Sequence, residues 1–286
     1  MKGEFQLTFF GVRGSFPVPG KATRRCGGNT SSLLLEISGQ TLILDAGTGI
    51  IQAGRYLNAR LRPGQVIHIF LTHLHSDHII GLPFFAPMYN PQAEIVIHCP
   101  EIPQISAQQA LEALFLPPYS PITLQGIKAR LSFQLLPIPQ AVGGVQLGGG
   151  IEVAYVLHNS HPRLGVLIFR VRQGGRSVVY ATDIESPDGF DPGISAFIAG
   201  ADLLVHDSQY FARDYFSASD PRAGFGHSTV DMAVRNAGQC KVKRLLLFHF
   251  DPNYSDIMLD EMLAQAREKF PATDLAQEGK KIKIRR

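Results

Sequence analysis

A strand predicted over Val66–Leu71 leads directly into the stretch Thr72-His73-Leu74-His75-Ser76-Asp77-His78. Three imidazoles and a carboxylate fall within six residues there, and zinc and similar divalent ions prefer such ligands. Residues two apart in an extended segment point the same way, so His73 and His75 can hold one ion. Asp77 and His78 follow a tight turn, so their side chains point to a different place from those of His73 and His75. The stretch therefore predicts a site for two metal ions rather than a polar surface loop.

Three further candidate ligands stand at or just after the ends of apolar, β-rich runs: His161, Asp183 and His249. Strand ends are where functional side chains assemble on layered sheets. A lone histidine is more often a hydrogen-bonded scaffold residue, and His158, three residues before His161, is an alternative ligand at that place. His68 and His98 lie inside predicted strands, and we interpret both as packing residues.

The order of secondary-structure patterns favours a layered fold. Strands predominate in both halves of the chain, and helices are inserted between them, which predicts an α/β (α+β) architecture over a single domain, 1–286. The run Lys281-Ile282-Lys283-Ile284 alternates as a terminal edge strand protected by lysines does. A helix is predicted over Thr229–Asn236, with Ser228 as its N-cap.

The charge balance gives little sign of a nucleic-acid partner. The 286 residues carry 27 Lys and Arg against 24 Asp and Glu, a net charge of +3. Five of the basic residues lie in the last seven positions, so the rest of the chain has 22 basic residues against 24 acidic ones. Proteins that bind nucleic acid usually carry their basic excess on the folded surface. The body of the chain, residues 1–279, has no such excess of basic residues.

Composition excludes other classes of protein. A hydrophobic share of 45% and a charged share of 18% support a sizeable core and exclude a wholly disordered chain. No apolar run approaches the ~20 residues needed to cross a bilayer, and the first residues lack the pattern of a signal peptide. We therefore expect a cytoplasmic protein with no membrane partner. A homodimer is compatible with the sequence. The three scattered cysteines are expected to be packing residues.

The pattern H-x-H-x-D-H after a strand resembles the metal-binding motif of the metallo-β-lactamase superfamily, whose fold is a four-layer αββα sandwich. Four other segments resemble the family's remaining motifs and follow the same order along almost the whole chain: Leu42-Ile43-Leu44-Asp45-Ala46-Gly47, Asn159-Ser160-His161-Pro162, Thr182-Asp183 and Leu247-Phe248-His249. The resemblance implies two zinc ions, with manganese or iron as alternatives. It also implies that Asp45 braces the metal-binding loop.

The same resemblance implies a division of the ligands between the two ions. His73, His75 and His161 would bind the first ion, Asp77, His78 and His249 the second, and Asp183 would be shared. Asp77 is also counted among the catalytic residues. His161 is preferred to His158 because Pro162 and Gly165 follow it as in the family.

Two further segments resemble the branch that contains ribonuclease Z and cyclic phosphodiesterases: Val205-His206-Asp207-Ser208-Gln209-Tyr210 and Gly226-His227-Ser228-Thr229. This implies that His227 and Asp207 take part in proton transfer. The loops Gly11-Val12-Arg13-Gly14-Ser15 and Gly27-Gly28-Asn29-Thr30 resemble those of bacterial proteins assigned as phosphoribosyl cyclic phosphodiesterases. Their exposed amides, with Arg13, Ser15, Asn29 and Thr30, could hold a phosphate, or the loops could simply be tight turns at strand ends.

These observations lead us to expect a dinuclear-zinc hydrolase. Its substrate would be a cyclic or small nucleotide-like phosphodiester, attacked by a metal-bound hydroxide while protonated His227 supports the leaving alkoxide. A thioester or lactone hydrolase is the alternative enzyme on the same site. A transfer-RNA 3′ endonuclease also fits the motifs, although the sequence contains no inserted glycine-rich and basic arm. The alternative outside enzymes is a non-catalytic metal-binding sensor, which a full set of buried ligands disfavours.

Overall fold

Two seven-stranded sheets form the centre of the computed structural model, which describes residues 4–102, 105–118, 120–138, 140–162 and 165–285. The first sheet comes mainly from the N-terminal half of the chain. Its strands are β1 (Phe5–Gly11), β2 (Ser32–Ile37), β3 (Gln40–Leu44), β4 (Val66–Phe70), β5 (Glu94–Pro100), β6 (Arg130–Leu136) and β14 (Lys281–Lys283). Their spatial order is β14-β1-β2-β3-β4-β5-β6. The pairs from β14 to β3 are antiparallel, and those from β3 to β6 are parallel.

The second sheet repeats this plan with the C-terminal half. Its strands are β7 (Gly143–Leu147), β8 (Ile151–His158), β9 (Val166–Gln173), β10 (Arg176–Ala181), β11 (Leu203–Asp207), β12 (Leu245–Phe248) and β13 (Thr273–Leu275). The spatial order is β13-β12-β11-β10-β9-β8-β7. Strands β7 to β10 pair antiparallel, and β10 to β13 pair parallel. Each sheet therefore has a parallel half, and the carboxyl ends of those strands are where site residues can gather.

Helices cover the outer faces of the sheets, except for a short one that contains Asp77 and His78 of the central motif. They are α1 (Ile50–Asn58), α2 (Ser76–Ile79), α3 (Ala107–Glu112), α4 (Pro192–Ile198), α5 (Ala212–Tyr215), α6 (Val230–Gln239) and α7 (Asp256–Lys269). Leu42 and Leu44 of β3 face the core between the sheets, whereas Ile43 faces the cluster that contains Ile50 of α1. This alternation follows from the period of two of a strand, and it gives each sheet two buried faces.

Aromatic rings join the two sheets across the central core. The ring centroids of Phe9 and Phe248 are 5.7 Å apart, as are those of Phe70 and Phe169. Each fully buried side chain of this size stabilises the fold by about 1.5–3 kcal/mol relative to exposure. The four-layer αββα sandwich predicted from the sequence is confirmed. No helix among the described residues is long and apolar enough to cross a membrane.

Two local expectations have different outcomes. The C-terminal edge strand is confirmed, because β14 pairs antiparallel with β1 and buries only its central isoleucine. The N-cap assignment to Ser228 is wrong. Thr229 caps α6, since its hydroxyl accepts from the amide of Met232 at 3.2 Å, while the Ser228 hydroxyl donates to the Ile184 carbonyl at 2.6 Å. Which residue caps a helix depends on the direction from which the chain enters it. Here the hydrogen bond of Ser228 to Ile184, in the segment after β10, sets that direction.

Helix α1 depends on a glycine for its contact with the neighbouring segment. A Cβ at Gly54 would lie 2.7 Å from a ring carbon of Phe85 and 3.0 Å from the amide nitrogen of Ala86. Phe85 is fully buried and cannot move aside. Gly238, near the end of α6, has no such neighbour, since nothing lies within 4 Å of its ideal Cβ position.

The same substitution should therefore change stability in opposite directions at the two glycines. We expect Gly54→Ala to lower the free energy of unfolding by about 1–3 kcal/mol through overpacking. Gly238→Ala should raise it by about 0.5–1 kcal/mol, since alanine restricts the unfolded chain and favours helix. Urea unfolding followed by circular dichroism measures both. A stabilising effect of Gly54→Ala would contradict the close packing of α1.

Candidate metal centre

Imidazoles and carboxylates from both sheets converge at one edge of the sandwich. Two groups contain the seven predicted ligands, and within each group one ligand atom per residue lies within 4.8 Å of all the others: His73, His75 and His161 in the first cluster, and Asp77, His78, Asp183 and His249 in the second cluster. By the same criterion His227 forms one group with His161 and Asp183 and another with Asp207 and His249. All of these side chains are buried except that of His75, which is exposed. The structure thus brings together every candidate ligand predicted from the sequence, in the two groups that the resemblance implied.

Asp183 lies between the two clusters. Its Oδ1 atom is 3.8 Å from His73 Nε2 and 3.9 Å from His161 Nε2. Its Oδ2 atom is 3.1 Å from His78 Nε2 and 3.3 Å from His249 Nε2. The two oxygens of one carboxylate therefore face different clusters, which is the geometry that a bridging ligand requires.

Three residues at the strand ends adopt the left-handed backbone conformation, which is uncommon for residues other than glycine. Asp45 after β3, Asp183 just after β10 and His249 after β12 have φ values of 61°, 55° and 61°. Each such residue costs about 1–3 kcal/mol when the surrounding structure imposes it. The conformation turns the chain sharply at the end of the strand and aims the side chain at the site.

Asp45 organises the loop that carries the central motif. Its Oδ1 accepts from the amide of Thr72 at 2.9 Å, and its Oδ2 accepts from His78 Nδ1 at 2.8 Å and from the Tyr180 hydroxyl at 3.0 Å. The carboxylate is fully buried, so these contacts compensate for its lost hydration. A carboxylate on Nδ1 leaves Nε2 of His78 as the nitrogen that faces Asp77 and Asp183, as a metal ligand needs.

The donor set fits divalent metal ions. His73 Nε2 is buried and has no hydrogen-bond partner among the described residues, an arrangement that costs about 1–3 kcal/mol unless something binds there. Burial lowers the pKa of His161 to about 4. Burial alone would raise the pKa of Asp183, but the imidazoles of His249 and His78 outweigh it and hold that pKa well below its usual value. Burial alone would lower the pKa of His78, but the carboxylates of Asp183, Asp77 and Asp45 outweigh it and raise that pKa. Neutral imidazoles and ionised carboxylates are the forms that ligate metals, so a metal ion bound at His78 would displace a proton.

His227 and Asp207 form a pair beside the two clusters. His227 Nδ1 donates to Asp207 Oδ2 at 2.9 Å, and the same nitrogen lies 4.0 Å from Asp183 Oδ1. Asp207 is fully buried and also accepts from the amides of Gln209 and Ser228. Burial by itself would lower the pKa of His227, but the Asp207 carboxylate outweighs it and the pKa is raised. The resemblance paired these two residues, and the structure places them in direct contact.

The alternative between His158 and His161 is resolved by position. His161 Nε2 is 2.8 Å from His75 Nδ1, inside the first cluster. His158 instead accepts from the Ser160 hydroxyl at 2.7 Å and belongs to neither cluster. His68 and His98 contact each other at 3.0 Å within the first sheet and likewise lie outside the clusters.

The glycine-rich loops do not form the phosphate site considered from the sequence. Arg13 is fully buried, and its guanidinium donates to the carbonyls of Gly27, Asp251 and Tyr254. Asn29 bonds to Glu278, and Thr30 contacts Thr48. The exception is Ser15, whose amide donates to Asp77 Oδ2 at 2.8 Å. Arg13 therefore joins three segments through their backbone carbonyls. Of the four residues proposed from the sequence to hold a phosphate, only Ser15 contacts a cluster.

Two supporting residues were not predicted as such. Gln209 Oε1 accepts from His249 Nδ1 at 3.0 Å, and this glutamine lies in a segment that the sequence had already singled out. Glu185 is buried and accepts from the amides of Gly224 and Gly226, at 2.7 and 2.9 Å, and from the Tyr215 hydroxyl. It fixes the turn that precedes His227. Only its position two residues after Asp183 could have suggested it.

Curated relatives share nearly the whole length of the chain. A protein from Brevibacillus brevis named Ribonuclease Z is 27% identical over 328 aligned residues, which cover 98% of this chain and 97% of the relative. The alignment is longer than the 286 residues of the chain, so the relative contains insertions that this chain lacks.

Solved structures agree with the fold. The metallo-beta-lactamase fold protein YhfI from Bacillus subtilis matches with a TM-score of 0.69 at 19% identity, over 99% of this chain and 100% of that one. The short form of human tRNase Z matches with a TM-score of 0.68 at 20% identity, over 98% and 100% of the two chains. At these identities the likeness concerns the fold alone.

A family model decides the membership of the chain. The model, described as a beta-lactamase superfamily domain, matches residues 40–250, which is most of the sequence. The match includes both clusters of imidazoles and carboxylates, whose donor types suit a metal ion. The protein is a metal-dependent hydrolase of the metallo-β-lactamase superfamily.

Proposed function

We propose that this protein is a phosphodiesterase that binds two zinc ions, one at each cluster, with Asp183 shared between them. The observation that carries this proposal is the His227–Asp207 pair beside the clusters. Hydrolysis of a phosphodiester expels an alkoxide, a poor leaving group that needs a proton. An imidazole held by a buried carboxylate at one ring nitrogen is suited to donate a proton from the other.

The chain's own residues divide the work in this proposal. The metal ions would supply Lewis acidity toward a phosphoryl oxygen and toward water. Asp207 holds Nδ1 of His227, so the other ring nitrogen, Nε2, carries the proton for the leaving oxygen. The Ser15 amide fixes Asp77, and Gln209 fixes His249, so two ligands of the second cluster keep their orientation.

We propose a small, nucleotide-like phosphodiester as the substrate. The body of the chain has no basic excess, and the chain lacks the insertions that its curated relative contains. A surface that grips a folded RNA needs basic side chains along the phosphate backbone. Both features favour a substrate that the site can bind without an additional arm.

A second candidate is a transfer-RNA 3′ endonuclease. The observation that favours it is the name Ribonuclease Z of a relative that aligns over 98% of this chain. The same two clusters and the same His227–Asp207 pair would serve that reaction, because it also cleaves a phosphodiester. The two candidates differ only in what the protein binds outside the reacting phosphate.

Metal analysis tests the two-site model. We expect about two zinc equivalents per chain, because each cluster offers the three or four ligands that zinc takes. A double variant, Asp77→Ala with His78→Ala, should retain about one equivalent. His161→Ala should also lose zinc, because this imidazole belongs to the first cluster.

His158→Ala is the matched control for the metal analysis. It removes an imidazole three residues away that contacts Ser160 and no cluster, so both equivalents should remain. A single zinc in the parent protein that persists in the double variant would contradict the dinuclear model.

A substrate panel tests the reaction class. Metal-loaded protein should cleave bis(p-nitrophenyl) phosphate and nucleoside cyclic phosphates, whereas nitrocefin and a thioester should remain intact. A precursor transfer RNA in the same panel tests the second candidate. Efficient nitrocefin or thioester turnover without phosphodiester cleavage would contradict the proposal.

A leaving-group series tests His227. We expect His227→Ala to lower the rate by about 10²–10⁴-fold for an alkyl leaving group, the usual contribution of a positioned acid. The loss should be much smaller for p-nitrophenolate, which departs without a proton. Metal content should stay at the parent value, and Asp207→Asn should show a milder form of the same pattern.

Metal content and leaving-group dependence separate this role from a structural one. Equal rate losses for alkyl and p-nitrophenyl esters would remove His227 from the acid role. Loss of zinc from His227→Ala would do the same, since it would assign the imidazole to metal binding.

A further inference from the structure

A cavity of about 400 Å³ opens directly beside the proposed acid. Its lining includes His227 and Ser15, the residue whose amide holds Asp77. A group bound in this cavity would therefore lie beside the proposed acid, His227. The volume lies within the range of about 300–1,000 Å³ that is typical of small-molecule sites.

Two phenylalanines from distant parts of the chain line this cavity and remain exposed. Phe16 follows the loop after β1 and is 53% exposed, and Phe225 precedes His227 and is 49% exposed. Half-exposed phenyl rings lose much of the hydrophobic stabilisation that burial would give. Two such rings on the wall of one cavity next to reacting groups form a surface for a flat apolar partner.

The turn that carries Phe225 is held in place rather than left to move. Gly224 and Gly226 on either side have φ values of 85° and 87°, and both amides donate to the buried carboxylate of Glu185. A Cβ at Gly226 would lie 2.4 Å from His161 Nδ1. The position of Phe225 relative to the first cluster is thus fixed before any ligand binds, which lowers the entropic cost of binding.

The polar residues of the cavity suit the edge of a heterocycle better than a simple alkyl group. Arg222 lies with its guanidinium 6.0 Å from the ring centroid of Phe225, and a second lining segment contributes the exposed Asn253. Asp251 in the same wall holds Asn253 through two hydrogen bonds. Donors and acceptors around aromatic walls are the combination that binds nucleobases.

We infer that this cavity binds the nucleobase of a nucleotide phosphodiester by stacking against Phe16 and Phe225 while its phosphate lies at the metal clusters. The inference deepens the proposed function and rests on it, since it names nucleotides as the substrate class of the same site. The base can belong to a mononucleotide or to the end of an RNA chain, and both present the same aromatic face.

Calorimetric titration of the zinc-loaded protein tests this inference without depending on turnover. The probes are adenosine 5′-monophosphate and ribose 5-phosphate, which share the phosphate and the sugar and differ in the base. We expect the adenosine compound to bind about 5- to 100-fold more tightly, the range expected for stacking of one base. Phe16→Ala and Phe225→Ala should each reduce this ratio while leaving the affinity for ribose 5-phosphate unchanged.

Phe216→Ala is the matched control. Phe216 is 71% exposed and does not line the cavity, so its removal should leave the ratio at the parent value. Phe16→Leu and Phe225→Leu provide a second pair if an alanine variant fails to fold, and they should also lower the ratio because leucine lacks an aromatic face. A precursor transfer RNA added as a competitor identifies the source of the base: displacement of the mononucleotide indicates an RNA end, and no displacement indicates a free nucleotide.

Equal affinity of the two probes for the parent protein would overturn the base site, as would a ratio that survives both phenylalanine substitutions. These outcomes are distinguishable from failure of the proposed function. Tight, phenylalanine-dependent binding of the adenosine compound without phosphodiester cleavage would leave the base site in place and reject the reaction. Phosphodiester cleavage with equal affinities for the two probes would support the reaction and reject the base site.

Discussion

The buried carboxylate of Asp183 is the contact on which the rest of the site depends. Its two oxygens face different groups of imidazoles, at 3.1 Å from His78 and 3.8 Å from His73. A charge at this depth is tolerable only where opposite charges or metal ions surround it. The two clusters therefore exist as a pair, since neither keeps its full set of contacts if the carboxylate moves.

The repeated plan of the two sheets explains how so many polar groups reach one place. Each sheet has a parallel half, and the carboxyl ends of β3 and β4 lie across the core from those of β10, β11 and β12. Asp45 and the central motif come from the first sheet, and Asp183, Asp207 and His249 come from the second. Left-handed residues at three of these strand ends show that the chain accepts local strain there to aim its side chains.

Hydrogen bonds from surrounding residues hold the side chains of the site in position. Asp45 joins the central motif to Tyr180 of the second sheet, so the brace of the metal-binding loop also links the two sheets. Glu185 has a comparable role at the rim, where it fixes the turn before His227. The same turn carries Phe225, so one buried carboxylate orients both the proposed acid and a wall of the neighbouring cavity. The chemistry and the selection of a substrate are therefore coupled through the backbone of a short segment.

Three features could be predicted from the sequence: the strand-rich α/β class, the four-layer architecture that its motifs imply, and the identity of the candidate ligands. These features are local: apolar alternation specifies strands, and the spacing of the central motif specifies which side chains can share an ion. Strands β6 and β7, at the edges of the two sheets, have weak sequence patterns, because β7 contains glycines and both strands are only partly buried. Three other features required the folded structure: His161 rather than His158 joins the first cluster, Thr229 caps α6, and Arg13 is buried and joins distant segments. The contacts that decide these points join residues far apart in the chain: His75 with His161, Ser228 with Ile184, and Arg13 with Tyr254. They depend on how the two sheets pack against each other, and no short stretch of sequence contains that information.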